Sequence, residues 1–312
     1  MAISRNIKPD RGLTYRMLMT GFFLVVLYGA VIGILIAVGL SFVIVLVIAF
    51  VLLFCQYWFS DKIAMYAMHA HEVTPEQAPE LHGVVDRLCA LADMQKPRVA
   101  IAQTDVPNAF ATGRSPKAAV VCVTTGLLRR LDEPEVEAVL SHELSHVAHR
   151  DVAVMTIASG LGVIAGLLTR VMFYSELFGG GRDNNQGNTA AIEAIVMLVS
   201  IVVYFVSFLL TMALSRYREL AADRSGALLI GRPSLLASAL VKITGEMSRI
   251  PTKDLRAAEP FNAFFFTPAV ANGATQGGGG GFSFGNLFRT HPTLEVRLAQ
   301  LEKLEHQLGQ AG

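Results

Sequence analysis

The sequence predicts an α+β protein: a mixed helix-and-strand polar part carried on a multi-span α-helical membrane anchor. Three observations point there. Hydrophobic residues make up 53% of the 312-residue chain and charged residues only 16%, against a usual charged share of about 25%. Mean hydropathy is +0.47. The apolar residues are also concentrated into long uncharged runs, and the polar stretches between them alternate helical and strand-like patterns.

Residues Met17 to Ser60 hold no Asp, Glu, Lys or Arg. As one helix this run would extend about 66 Å, roughly twice a bilayer core. Two spanning helices with a turn near Gly39-Leu40-Ser41 account for the length better. The run is also too long for the core of a cleaved signal peptide. Val152–Thr169 and Ala194–Ser215 are two further uncharged runs, each near the length needed to cross. Between them, Gly179-Gly180-Gly181 and Asn184-Asn185-Gln186-Gly187-Asn188 mark a solvated connector.

Between the apolar runs, Pro75–Met94 has Leu81, Val84, Val85, Leu88 and Leu91 at helical spacing. Arg98–Gln103 and Ala118–Thr124 are rich in β-branched residues and predict strands. Asn108-Ala109-Phe110-Ala111-Thr112-Gly113 predicts a further short strand closed by a turn. Asp132 can cap a helix with Pro134 in its first turn and Glu133, Glu135 and Glu137 near its positive end. That helix is expected to run on towards Val152. Arg216–Leu229 continues the last apolar run as a helix, Leu235–Met247 is another, and Thr293–Leu308 is a final amphipathic one. Gly273–Gly285 is a glycine-rich loop.

The expected organisation is therefore a membrane hairpin over residues 1–60, polar segments over 61–151 and 216–312, and a second membrane pair over 152–215. Arg5, Lys8, Arg11 and Arg16 precede the first span, Lys62 follows the second, and Arg216, Arg218 and Arg224 follow the last. The connector carries little positive charge. This bias predicts that both polar segments are cytoplasmic. A net charge of +1 gives no basic surface for nucleic acid, and none is expected as a partner. Three widely spaced cysteines, Cys55, Cys89 and Cys122, form neither a disulfide framework nor a cysteine metal site.

The chemistry centres on His142-Glu143-Leu144-Ser145-His146. On a helix, positions four apart share a face, so two imidazoles can meet one Zn²⁺. Glu143, beside the first, can reach a water at that metal without becoming a ligand and can take its proton. A hydrolytic zinc site wants a third protein ligand and an open position. Two residues offer themselves. His149 lies seven residues after His142 on the same face, but two turns away it is strained as a co-ligand. Glu219 lies in Glu219-Leu220-Ala221-Ala222-Asp223, where Asp223, four residues on, could hold a ligand histidine. The spacing alone also fits an ordinary charged helix face.

Taken in order, these motifs resemble the HtpX family of membrane zinc metalloproteases, related to the CAAX-prenyl proteases. The likeness rests on the N-terminal hydrophobic pair, Asn108–Gly113, His142–His146 with Arg150-Asp151, Glu219–Asp223, Thr290-His291-Pro292 and Arg297. It implies a zincin-like domain with one zinc ion per chain. His142, His146 and Glu219 are then the ligands, Glu143 the general base, and His149 a bystander. It implies a bacterial cytoplasmic-membrane enzyme, active site towards the cytoplasm, that cleaves misfolded or damaged membrane proteins or unfolded polypeptides. Beside these, Asn108, Ala109, Phe110 and Ala111 are expected to pair as an edge strand with an extended substrate. His291 is expected to stabilise the oxyanion, and Arg297 to pair with Asp223. Phe264-Phe265-Phe266 and the glycine-rich loop are expected at the cleft border. Two alternatives stand: a non-catalytic zinc-binding scaffold or holdase, against which the intact Glu143 speaks, and a CAAX-type prenyl-peptide protease.

Overall fold

The computed structural model describes residues 10–38, 43–178, 187–247 and 289–310. The elements are α1 (Arg11–Val38), α2 (Val43–Trp58), α3 (Ser60–Ala67), β1 (Ala70–Glu72), α4 (Pro79–Ala92), β2 (Arg98–Ala102), β3 (Ala109–Thr112), β4 (Val120–Thr124), α5 (Thr125–Leu128), α6 (Glu133–Ala148), α7 (Asp151–Phe178), α8 (Gly187–Ile230), α9 (Pro233–Met247) and α10 (Leu294–Gln310). The turn expected at residues 39–41, the centre of the connector, Phe264–Phe266 and the glycine-rich loop all lie outside the described residues.

Among the described residues, three helical stretches are long and apolar enough to cross a membrane: Arg11–Val31 in α1, Asp151–Arg170 in α7 and Ala194–Ile230 in α8. The sequence predicts two spans before Ser60 and four in all. The structure instead gives α2, whose 16 residues cover about 24 Å, short of a bilayer core of about 30 Å. Leu46–Trp58 meets Ser60–Ala67 at a bend of 67°, and the two together qualify as a span only as a bent pair. The bend has a polar cause. Asp61 is buried in α3 and lies 2.5 Å from Arg98 at the start of β2, which draws the chain out of line and back to the sheet.

The membrane helices meet through small residues and local polar ties, as helices without a hydrophobic driving force must. Tyr28 Oη donates to the Ile157 carbonyl at 2.8 Å, and Thr211 Oγ1 to the Ala158 carbonyl at 3.2 Å. A Cβ added at Gly160 would stand 2.6 Å from Tyr28 Oη. Val31, Leu161, Ala165, Leu168 and Val203 fill the seam. Phe22, Val25, Phe50, Ile195 and Phe205 face outward, as a lipid-facing surface requires.

The sheet has the order β1-β2-β4-β3, parallel between β2 and β4 and antiparallel at both flanks. Every residue of the central β4 is buried. Val99, Val121 and Val123 pack with Leu88 of α4, Leu140 and Leu144 of α6, Leu240 of α9 and Leu301 of α10 in one core. β1 escaped the sequence reading: it is three residues long and is entered through His69 at φ 48°. The expected run of α6 into the next helix also fails. Arg150 takes the left-handed conformation, φ 55°, so α6 stops and α7 starts afresh at Asp151. α8, by contrast, runs unbroken for 44 residues, about 66 Å, from the apolar stretch through Glu219 to Ile230.

Candidate metal centre and cleft

α6 is fixed at its start by a capping box: Asp132 and Glu135 each accept from the other's backbone N–H, and Pro134 occupies the first turn. From there the helix enters the core, and His142 and His146 emerge one turn apart with ring centroids 4.8 Å apart. α8 crosses against that turn. The crossing is close because position 226 is glycine: a Cβ there would stand 2.7 Å from the His142 backbone nitrogen. Glu219 thereby comes level with both imidazoles.

His142 Nε2 and His146 Nε2 lie 3.1 Å apart. Glu219 Oε2 lies 3.6 Å from the first and Glu219 Oε1 3.4 Å from the second. These three residues are a group that could hold a metal ion. Glu219 Oε2 is buried and faces His142 Nε2 on one side and His291 Nδ1 on the other. The other candidate, His149, is the exposed C-cap of α6 and stands outside the group.

Both imidazoles are held from behind. Asp223 Oδ1 lies 2.8 Å from His142 Nδ1, and Arg297 donates to both Asp223 oxygens at 2.6 and 2.7 Å. Asp151 Oδ2 lies 2.5 Å from His146 Nδ1 and 2.6 Å from an Arg218 guanidinium nitrogen. The sequence reading named Asp223 and Arg297 but missed the roles of Asp151 and Arg218. Asp151 reaches His146 only because the chain breaks at Arg150, which no sequence pattern announced.

Burial opposes the charged form of His142, but Asp223 and Glu219 outweigh it, and its pKa is raised to about 9. Burial likewise opposes charge on Arg297, while Asp223 keeps the guanidinium firmly protonated. Glu143 is 5% exposed. Burial pushes its carboxyl above the usual range, against the pull of the two imidazoles. Its Oε2 accepts a hydrogen bond from the Ala111 N–H at 3.0 Å. That N–H points away from β4, because Phe110 and Thr112, not Ala111, face β4 as the bonded positions of this antiparallel pair. β3 is thus an edge strand with its free side towards the His142–His146 turn of α6. Asn108 is buried just before it, its N–H donating to Thr124 Oγ1 at 2.9 Å. His291 Nδ1 lies 3.1 Å from Glu219 Oε2.

A cavity of about 390 Å³ joins these groups. Ala109–Gly113 forms one side and His142, Glu143, His146, Glu219 and His291 another. It continues between Met155, Thr156 and Ser159 of α7, Met212 of α8, and Gln56 and Ile63 at the α2–α3 bend. The cleft therefore opens among the apolar helices.

The sequence profile of Peptidase family M48 matches residues 75–305. A protein of Streptomyces coelicolor described as "Protease HtpX homolog 1" is 59% identical over 98% of this chain and 97% of its own length. A "Protease HtpX homolog" of Moorella thermoacetica is 51% identical over 97% of this chain and 98% of its own. Among solved structures, that of S. mikatae Ste24p aligns with a TM-score of 0.48 at 16% identity, over 94% of this chain and 66% of that one.

Proposed function

We propose, for a chain that belongs to Peptidase family M48 and is thus a metalloprotease, that it is a zinc endopeptidase cleaving misfolded or damaged membrane proteins. The observation that carries this is the donor set itself. A tetrahedral zinc with bonds of about 2.0–2.1 Å keeps its ligand atoms about 3.3 Å apart. The two Nε2 atoms stand 3.1 Å apart, and the Glu219 carboxylate comes within 3.4 Å of His146 through Oε1 and within 3.6 Å of His142 through Oε2. Two imidazoles and a carboxylate leave one position open, as hydrolytic zinc requires. Zinc held there supplies Lewis acidity, lowering the pKa of a water to about 7 and polarising the scissile carbonyl.

In this reading the chain's own groups do the rest. Asp223 and Asp151 accept hydrogen bonds from the Nδ1–H groups, which turns both Nε2 lone pairs inward. Glu143 removes the proton of the attacking water and returns it to the departing amine. Its burial makes it a better base than a solvated carboxylate. An extended substrate pairs with the free edge of β3 at Asn108–Ala111. To do so it takes over the Ala111 N–H, and that releases Glu143 Oε2 for the water. His291 donates to the oxyanion. Membrane proteins are the fitting substrates because the cleft is lined by α7, α8 and the α2–α3 bend, elements of the apolar helical part. The basic residues flanking the apolar runs support a site on the cytoplasmic side of the bacterial inner membrane.

The test is Glu143→Gln in full-length protein. Zinc content should stay at the wild-type level while cleavage of a membrane-protein substrate falls at least about a hundredfold. Undiminished cleavage would sink the mechanism.

A further inference from the structure

Gln56 and Ile63 of the α2–α3 bend border the cleft, and other residues of the same bend line a second cavity. Phe54 stacks on Trp58 in the last turn of α2, with centroids 5.5 Å apart. Beyond the bend, Phe59, Ile63 and Tyr66 are 40%, 48% and 85% exposed. Their spacing of four and three puts them on one face, while Asp61 and Ala64 are buried. An outward apolar stripe continuing from an apolar helix belongs in the plane of the membrane interface. The aromatic rings mark the depth of the lipid headgroups.

At that depth lies a cavity of about 290 Å³, lined by Trp58, Phe59, Asp61, Lys62, Arg98 and Arg114. Its negative charge is already spoken for: Asp61 lies 2.5 Å from Arg98, which also reaches Glu72. Two of its positive charges are not. The Lys62 ammonium sits 5.6 Å from the centroid of Phe59, and the Arg114 guanidinium 4.3 Å from that of Trp58. Neither has an acidic partner among the described residues. Lys117 lies on the turn Pro116–Ala118, whose Ala118 lines the same cavity. The site is built, not incidental. Tyr57 Oη donates to the Arg114 carbonyl at 2.8 Å, and Arg114 Nη1 to the Trp58 carbonyl at 3.4 Å, so the β3–β4 connector is pinned to the end of α2. A ring-stacked, weakly hydrated guanidinium beside an ammonium is a phosphate receptor.

We propose that this bend binds the phosphate of an anionic membrane lipid headgroup. The inference is independent of the metal centre.

Trp58 is the chain's single tryptophan, so its fluorescence reads the site directly. The experiment uses full-length protein in phosphatidylcholine vesicles in which phosphatidylglycerol replaces the zwitterionic lipid stepwise. Trp58 emission should change saturably. Lys62→Gln and Arg114→Gln should each raise the half-saturating fraction about fivefold. Lys62→Gln leaves the Trp58–Arg114 stack intact and therefore guards against a packing artefact at Arg114→Gln. Arg87→Gln, which removes a charge paired with Glu137 on α6, should change nothing. Inorganic phosphate at matched ionic strength should leave emission in pure phosphatidylcholine unchanged. A phosphate response equal to the lipid response would assign the site to free phosphate and overturn the lipid. No dependence on phosphatidylglycerol, or an equal effect of Arg87→Gln, would overturn the site.

Discussion

Gly226 sets how near α8 can lie to the metal-binding turn of α6. Gly226→Ala would drive a methyl into backbone at 2.7–2.9 Å, and backbone cannot swing aside as a side chain can. Overpacking of this kind costs about 1–3 kcal/mol, and here the displacement falls on the ligands. Thermal unfolding with and without zinc should show the variant losing more of its metal-dependent stabilisation than of its basal stability. Asp223→Asn should weaken zinc binding about 10–100-fold by releasing His142, measured by competition with a chelator. His142, at about 9, carries a proton at neutral pH that zinc must displace. Its affinity should therefore rise with pH until that value, and zinc titrations in buffers of different ionisation enthalpy should report about one proton released. The legibility of the centre follows from these distances. His142, Glu143 and His146 were readable because helical spacing alone brings them together. Glu219 joins from another helix, so its charged pattern was suggestive and only the resemblance singled it out. Asp151 and Arg218 went unread because their approach depends on a backbone break.

At the scale of elements, α6 is clamped to α9 through Glu135. Its carboxylate accepts from Ser238 Oγ at 2.7 Å and Lys242 Nζ at 2.8 Å and from the Asp132 N–H at 3.1 Å. Burial opposes the charge of Glu135, but these donors together lower its pKa below the ordinary value. A depressed carboxylate contributes stability above its unfolded pKa and loses it as pH falls through the folded one. Glu135→Gln should therefore cost about 1–2 kcal/mol near neutrality, and the difference should shrink progressively as pH falls below about 4 in denaturant titrations. The elements with strong signals were legible: β2 and β4 by β-branched runs, α6 by its cap, and α9 and α10 by apolar periodicity. β1 and α3 were not. Three and eight residues are too few to show a period, and both exist because the Asp61–Arg98 pair folds the chain back onto the sheet.

For the whole molecule, the uncharged runs announced the membrane helices, because a bilayer excludes charge along the full length of a span. They did not announce the α2–α3 bend, whose cause is a contact with a distant strand. A reporter fused at Asn185 should register on the extracytoplasmic side if the polar segments face the cytoplasm; a cytoplasmic signal would reverse that orientation. The unbroken α8 has a mechanical meaning. One rigid rod holds Glu219 at one end and is gripped by lipid along the other, while α7 roots Asp151 in the same bilayer. Bilayers of unequal thickness tilt such rods differently, so the spacing of His142, His146 and Glu219 is expected to follow hydrophobic mismatch. Zinc affinity measured across a series of acyl-chain lengths should peak at one thickness, making the centre a gauge of the membrane it sits in.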